Sequence, residues 1–457
     1  MTTPPTPPRQ LLGRAIGLTA FTWGYPLVES LRTCVLQTAG PARWQAPIDR
    51  LHHAENVATD ADRDIVTPAN DLLYCTGWIN LADGPRRLTV PSRARHGGRY
   101  FVLAFYDAWT NNFENAGWRT SPPDGETLLL VGPDAAQPGA GLADGARIVR
   151  APTNLVWLLG RVVAGPDDLP AARALLAQIT LDCAPGTDTG RLPAGANGWL
   201  GPPDETIAAL LADPGGRDAI ADRFFANLCR SLADQAVPAA DAGLLAWLAT
   251  AGLRPDPAFD AALLEPEVRA GLRQGLADAV AWLDGTADSR RARGWVINPH
   301  LGRWTTRYQA RALTAHRGLG ALVADEAVYA RTDFDAHQQP LDGSQACTMR
   351  FAPGDLPPAL AFWSVTLYAQ DRFLYPNPLG RHSIGDRTAG LQPDADGGLT
   401  LHIGHAAPAA APGHGGDPVS NWLPAPAGAY YLILRLYAPG PDARTWRIPP
   451  LQPENRS

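Results

Sequence analysis

The chain has 457 residues, 45% of them hydrophobic and 18% charged, with a formal net charge of −6. That length allows two or three domains with a sizeable core, and the composition argues against extensive disorder. No Lys/Arg-rich run offers phosphates a surface, so nucleic acid is not an expected partner.

The N-terminus, MTTPPTPPRQLLGRAIG, lacks the apolar core of a signal peptide, and no apolar run is long enough for a membrane span. Cys34, Cys75, Cys183, Cys229 and Cys347 are far apart, with no CxxC pair, so neither a disulfide framework nor structural zinc is expected. The expectation is a cytoplasmic protein.

Residues 1–10 read as a disordered Pro/Thr leader. Apolar residues then recur at helical spacing to residue 38, interrupted by Gly24 and Pro26. Two helix segments bent at WGYPL are predicted, within an N-terminal helical segment over 11–64. From residue 65 the pattern becomes β. Runs at 72–81, 87–90, 100–106, 127–131, 146–149 and 156–163 are separated by turn pairs such as Gly97-Gly98 and Asp124-Gly125, predicting a β domain over 65–166. The run 100–106, YFVLAFY, is apolar on both faces and is expected to be covered on both sides.

Residues 167–327 read as a helical section and connection. Ala and Leu recur at three- and four-residue spacing over 169–179 and 207–211, and further helices are predicted at 217–235, 239–250, 257–264 and 267–284. A basic, aromatic connection over 295–320 follows, then one more helix. The β pattern returns at 346–351, 361–368, 399–403 and 430–437 in a C-terminal β-sandwich domain over 328–450, ahead of a tail over 451–457. The fold class is α+β, mainly β: two related β-sandwich or jelly-roll-like halves with a helical insertion between them and an N-terminal helical segment.

The relation between the halves is visible in three segments that recur in order. YFVLAFYDAWTNN corresponds to LAFWSVTLYAQDR, DGETLLLVGP to DGGLTLHIGH, and APTNLVWLLGRVVAGPDD to APAGAYYLILRLYAPGPDA. In the last pair a single Arg, Arg161 or Arg435, interrupts an apolar strand. A buried guanidinium must be paired, either with a bracing carboxylate or with an anionic ligand that suits its planar fork.

Polar residues crowd two other places. After the strand at 100–106 come Asp107, Trp109, Asn111 and Arg119, which either knit a turn or line a pocket. On 361–368, Ser364, Thr366 and Tyr368 share one face, as a solvated surface or a pocket wall. The loop YPNPLGRHSIGDR then carries Asn377, Arg381 and His382, and NWLPAP carries Asn421 and Trp422.

The segments VTPANDLLYCTGWINLADGP, DAWTNNFENAGWRT, LDGSQACTMRFAPGDLPPALAFWSVTLYA, NPLGRHSIGDR and NWLPAP, in this order, resemble the paired domains of unknown function 1254 and 1214. The resemblance covers roughly residues 25–439. It implies an N-terminal β-rich domain, a helical section and a C-terminal β-sandwich domain, and it brings no established reaction. Where the family usually has Asp-Thr-Leu-Tyr-Ser this chain has Asp71-Leu72-Leu73-Tyr74-Cys75, and where it has Arg-Tyr this chain has Arg381-His382.

His402 and His405 are three apart on a predicted strand and point to opposite faces, and no HExxH, HxH or EF-hand loop occurs. No metal is expected, though a site assembled from distant residues stays open. No GxSxG, GxGxxG or Walker loop occurs either, so no cofactor is expected. General acid–base chemistry remains. The expected function is a cofactor-free cytoplasmic enzyme (lyase, isomerase, cyclase or hydrolase) acting on a compact, partly apolar organic molecule, with an anionic group as one option. Asp107 and His382 are the candidate proton-transfer groups, with Arg381 and Arg435 as stabilisers of negative charge. Tyr74, Trp109, Asn111, Arg119, Arg161, Tyr368, Asn377, Asn421 and Trp422 are candidates for substrate binding. The alternatives are a non-catalytic sugar- or lipid-binding β-sandwich and a purely structural role for these motifs. A homo-oligomer stays open.

Overall fold

The computed structural model describes residues 6–136, 144–165, 167–183, 190–203, 216–289, 294–408 and 419–454. A long helix, α1 (Pro8–Thr38), starts within the stretch expected to be a disordered leader. It leads into a first sandwich of β1 (His52–His53), β2 (Leu72–Asn80), β3 (Arg86–Val90), β4 (Phe101–Asp107), β5 (Asn112–Gly117), β6 (Glu126–Val131), β7 (Ala146–Arg150), β8 (Leu155–Val163) and β9 (Thr180–Cys183). The helices α2 (Leu169–Leu176), α3 (Ala194–Asn197), α4 (Arg217–Leu232), α5 (Ala242–Ala249), α6 (Pro266–Ser289) and α7 (Tyr308–Arg317) follow β8. The second sandwich comprises β10 (Val296–Ile297), β11 (Ala327–Thr332), β12 (Cys347–Phe351), β13 (Ala359–Ala369), β14 (Ser383–Gly385), β15 (Leu399–Gly404), β16 (Trp422–Pro424), β17 (Tyr430–Pro439) and β18 (Gln452–Pro453).

The duplication extends through the whole topology. The first sandwich has sheets ordered β1-β2-β8-β4-β5 and β7-β6-β3-β9; adding nine to every strand number gives β10-β11-β17-β13-β14 and β16-β15-β12-β18. Even the parallel pairs match, β6 with β7 and β15 with β16. Arg161 and Arg435 occupy equivalent places on β8 and β17. The recurring segment before them is shifted by two residues from the sequence alignment, because Arg161 faces Val102 and Arg435 faces Ser364.

Each sandwich has its own dry core, one containing Leu73, Leu103, Phe105 and Leu158, the other Met349, Val365 and Leu434. A third cluster joins the opposite faces of both five-stranded sheets to α1, α4, α6 and α7. On β4, Phe101, Leu103 and Phe105 enter the sandwich core while Val102, Ala104 and Tyr106 enter this third cluster. The strand is therefore covered on both faces, and its unbroken apolar run follows from that.

Helix α1 is continuous through Pro26, where the sequence predicts a bend. An internal proline costs about 3 kcal/mol. Phe21, Trp23, Leu27 and Leu31 are fully buried, and each such side chain contributes about 1.5–3 kcal/mol, so packing outweighs the break. Close approach to α6 depends on glycine: a Cβ at Gly17 would lie 2.4 Å from the Leu272 carbonyl oxygen, and one at Gly275 would lie 2.1 Å from that of Arg14.

Other differences are local. Residues 257–264 form only a 3-10 turn at Ala261–Leu263. Helix α7 lies inside the 295–320 connection, and the element after it is strand β11 rather than a helix. The helix predicted at 207–211 lies outside the described residues. No helix among the described residues is long and apolar enough to cross a membrane.

Candidate functional site

A cavity of about 220 Å³ lies between the five-stranded sheets. The first sheet contributes Tyr74 from β2 with Leu159 and Arg161 from β8. The second contributes Tyr329 from β11 with Ile433, Arg435 and Tyr437 from β17. Helix α7 closes one side with Leu313 and Arg317, the stretches 65–69 and 318–321 add to the wall together with Trp44, and Arg331 with Asp333, paired at 2.6 Å, also line it.

Arg161 is 6% exposed and Arg435 3%. Among the described residues, no carboxylate lies within ion-pairing distance of either. Arg161 donates to the carbonyls of Gly320 at 2.6 Å and Leu159 at 3.3 Å. Arg435 donates to Thr366 Oγ1 at 2.9 Å, the Thr67 carbonyl at 3.0 Å and the Tyr368 hydroxyl at 2.8 Å. A guanidinium has five N–H donors, so both retain donors beyond these bonds. Burial works against the charge on each. The hydroxyl face of β13 is accordingly an internal brace, with Thr366 and Tyr368 aiming Arg435.

The phenols have spare capacity too. Tyr74 Oη accepts the Ala69 N–H at 2.9 Å, and Tyr329 Oη accepts that of Leu322 at 3.4 Å. Neither hydroxyl donates to an acceptor among the described residues, so each has a proton to offer the cavity. Burial raises the Tyr74 phenol, with Arg161 pulling the other way.

The remaining candidates lie away from the cavity. Asp107 is 4% exposed and accepts the Asn111 backbone N–H at 2.8 Å and its Nδ2 at 2.9 Å. Thr110 takes a left-handed φ of 66° in this turn, Asn111 Oδ1 accepts the Trp304 N–H, and Trp109 Nε1 donates to the Ala236 carbonyl at 2.8 Å. The polar density after β4 therefore knits a turn to the helical section. Burial pushes the Asp107 carboxyl up to about 6, against the Asn111 hydrogen bonds and the charge of Arg311. Arg119 pairs with Glu326 at 2.7 Å, tying the first half to the second.

Near the second sandwich, His382 Nδ1 bonds the Tyr375 carbonyl at 2.9 Å while Nε2 stands 3.8 Å from Asp60. Burial lowers its imidazole, against the Tyr375 carbonyl and Asp60. Arg381 donates to the carbonyls of Val419, Ser420 and Trp422. Asn377 accepts the N–H groups of Leu379 and Arg381, and Trp422 Nε1 donates to the Gly404 carbonyl at 3.0 Å. Asn421 accepts the Gln392 N–H and donates to the carbonyls of Gln392 and Thr400. Asn421→Ala is expected to cost roughly 1–3 kcal/mol in urea denaturation, because it strands partly buried backbone groups; an unchanged midpoint and slope would contradict that bracing role.

The cavity thus brings together Tyr74, Arg161 and Arg435 of the sequence candidates, with Tyr368 directly behind Arg435. Tyr329, Tyr437, Trp44 and the α7 face are additions. Tyr329 carried a readable signal: Asp71-Leu72-Leu73-Tyr74 and Glu326-Ala327-Val328-Tyr329 both open equivalent strands with acid-x-x-Tyr. Among the described residues no group of three or more His, Cys, Asp or Glu side chains is placed to hold a metal ion.

Two family descriptions match the chain: "Protein of unknown function (DUF1254)" over residues 48–183 and "Protein of unknown function (DUF1214)" over 326–441. The VPA0106 protein of Vibrio parahaemolyticus is similar in fold, with a TM-score of 0.66 and 24% identity across 97% of this chain and 100% of that one. A putative uncharacterized protein from Burkholderia cenocepacia aligns with a TM-score of 0.43 and 14% identity, covering 95% of this chain and 88% of that one. No curated protein matches.

Proposed function

We propose that this chain, which belongs to the family pairing a DUF1254 with a DUF1214 domain, is a cofactor-free cytoplasmic enzyme acting by general acid–base catalysis on a compact, partly apolar organic anion. The observation that carries the reading is the pair of buried guanidinium groups on one cavity with no carboxylate within ion-pairing distance among the described residues. Taking a charge out of water costs several kcal/mol, so two such cations facing one cavity favour a ligand that supplies the opposite charge. Leu159, Leu313 and Ile433 suit an apolar body.

Tyr74 and Tyr329 are the proton-transfer groups of this reading. Each phenol oxygen already accepts a backbone N–H and has a guanidinium beside its ring, and both work against the burial that raises the Tyr74 phenol. The unpaired state of all five cysteines is compatible with a reducing compartment.

The test begins with a calorimetric and mass-spectrometric screen of small organic acids. A bound acid that is converted, with turnover falling about 10²–10⁴-fold in the Tyr74→Phe, Tyr329→Phe double variant while affinity stays within a few-fold, is the expected result. An acid returned unchanged would make this a binding protein. A sugar or neutral lipid bound in preference to every acid would reject the role given to the arginines.

A further inference from the structure

The two walls of the cavity match residue for residue, and the match bears on the ligand's own shape. Arg161 stands opposite Tyr74 in the β2–β8 pairing, and Arg435 stands opposite Tyr329 in the β11–β17 pairing. Each guanidinium lies 5.8 Å from the ring of that neighbour. Two residues before each arginine, Leu159 and Ile433 give the apolar part of each wall. The equivalent tyrosines of β4 and β13, Tyr106 and Tyr368, also stand behind the pairs: Tyr106 shares the Gly320 carbonyl with Arg161, and Tyr368 accepts from Arg435. Two Arg–Tyr units of the same construction, one from each half, therefore face one cavity.

Neither neighbouring acid forms an ion pair with these cations, although each acts on one of them at longer range, Glu326 on Arg161 and Asp71 on Arg435. Glu326, three residues before Tyr329, is engaged by Arg119 and Tyr100. Asp71, three residues before Tyr74, is buried, and burial raises its carboxyl against the Ser364 hydroxyl and the charge of Arg435. A monoanion would engage one guanidinium and leave the other without a direct ion pair.

Size agrees with a larger acid. A dry cavity of about 150 Å³ takes a benzene ring, so by scaling the space here has room for roughly nine non-hydrogen atoms. We infer that the ligand carries two acidic groups, one held by each Arg–Tyr pair, joined by a short apolar middle: a compact dicarboxylate. The inference rests on the anion-binding reading above and adds the number of charges and their placement on opposite walls.

Calorimetric titration of the parent protein with the straight-chain dicarboxylates from succinate to suberate, each against its half-amide, separates the two claims. The expected result is one or two chain lengths binding at least tenfold more tightly than their half-amides. In Arg435→Gln and in Arg161→Gln that preference should vanish, diacid and half-amide then binding alike. The ligand-side comparison in the parent decides the matter even if a variant fails to fold. Equal affinity for diacid and half-amide in the parent overturns the dicarboxylate and leaves an anion site. So does tighter binding of a phosphate monoester such as phenyl phosphate than of any diacid, since it places both charges on one group. If none of these acids binds at millimolar concentration, the anion-binding reading falls with it.

Discussion

Replacing Arg86 by methionine is expected to destabilise the protein by about 3–5 kcal/mol, the cost of breaking a buried ion pair from one side. Arg86 Nη2 meets Asp49 Oδ2 at 2.8 Å, with the two side chains 0% and 1% exposed. Asp49 Oδ1 also accepts the Asn80 N–H at 3.0 Å, and its own N–H donates to the Trp78 carbonyl at 2.7 Å. The pair thus ties β2 and β3 to the connection that leaves α1, the same connection that carries Trp44 to the cavity wall. In Arg86→Met the carboxylate loses its counter-charge in a site water cannot reach. The companion variant Asp49→Asn, Arg86→Met removes both charges and is expected to recover much of the loss. Guanidinium denaturation followed by tryptophan fluorescence measures both. A cost below about 1 kcal/mol for the single variant would put this pair with surface pairs such as Arg9–Glu265, which contribute little.

Much of this architecture is legible in the sequence because strand burial leaves a local pattern. The run YFVLAFY is apolar on both faces because β4 has a sandwich core on one side and the inter-half cluster on the other. The duplication is legible where strands are long, and invisible where they are edges. β1, β10 and β18 are two residues each, too short to carry a period, yet they complete the correspondence between the halves. The proline at 26 misleads for a related reason. Its effect on the helix is local, whereas the packing that keeps α1 continuous comes from α4, α6 and α7, distant in sequence.

The site divides along the same line. Arg161 and Arg435 stand out in sequence because an apolar strand has no local use for a cation, and both lie on the cavity. Asp107, Asn111, Asn377, Arg381 and Asn421 also look like a binding site in sequence, since polar density is all that a string of letters displays. In three dimensions their hydrogen bonds go to backbone groups a few residues away or to the facing loop. What distinguishes a ligand group from a bracing group is whether its donors are already engaged, and that depends on residues tens to hundreds of positions away. Gly320, which takes up Arg161, is 159 residues distant.

Asp107 makes the bracing role measurable through pH. Its carboxyl titrates at about 6 in the fold and at about 3.9 in an unfolded chain, so the folded state holds the proton more tightly. The stability this contributes is fully present below about pH 4 and is lost as pH rises through about 6. Two pKa units correspond to roughly 3 kcal/mol, and the full burial of the side chain leaves little solvent to screen it. The charges it meets are Arg311, packed over the Trp109 ring and favouring the ionised form, and through Arg311 the buried Asp241. Asp107→Asn keeps an acceptor for the Asn111 N–H and cannot ionise. It gives up the bond to Asn111 Nδ2, a cost of roughly 1–3 kcal/mol that does not vary with pH. The parent should therefore be the more stable protein near pH 4, and its advantage should shrink by about 3 kcal/mol, enough to vanish or reverse, by about pH 8. Denaturation of both proteins across that range isolates Asp107 from every other titrating group, because only the difference between the two curves counts. A gap that stays constant with pH would show that Asp107 is ionised in the fold throughout, and that the Asn111 bonds and Arg311 outweigh its burial.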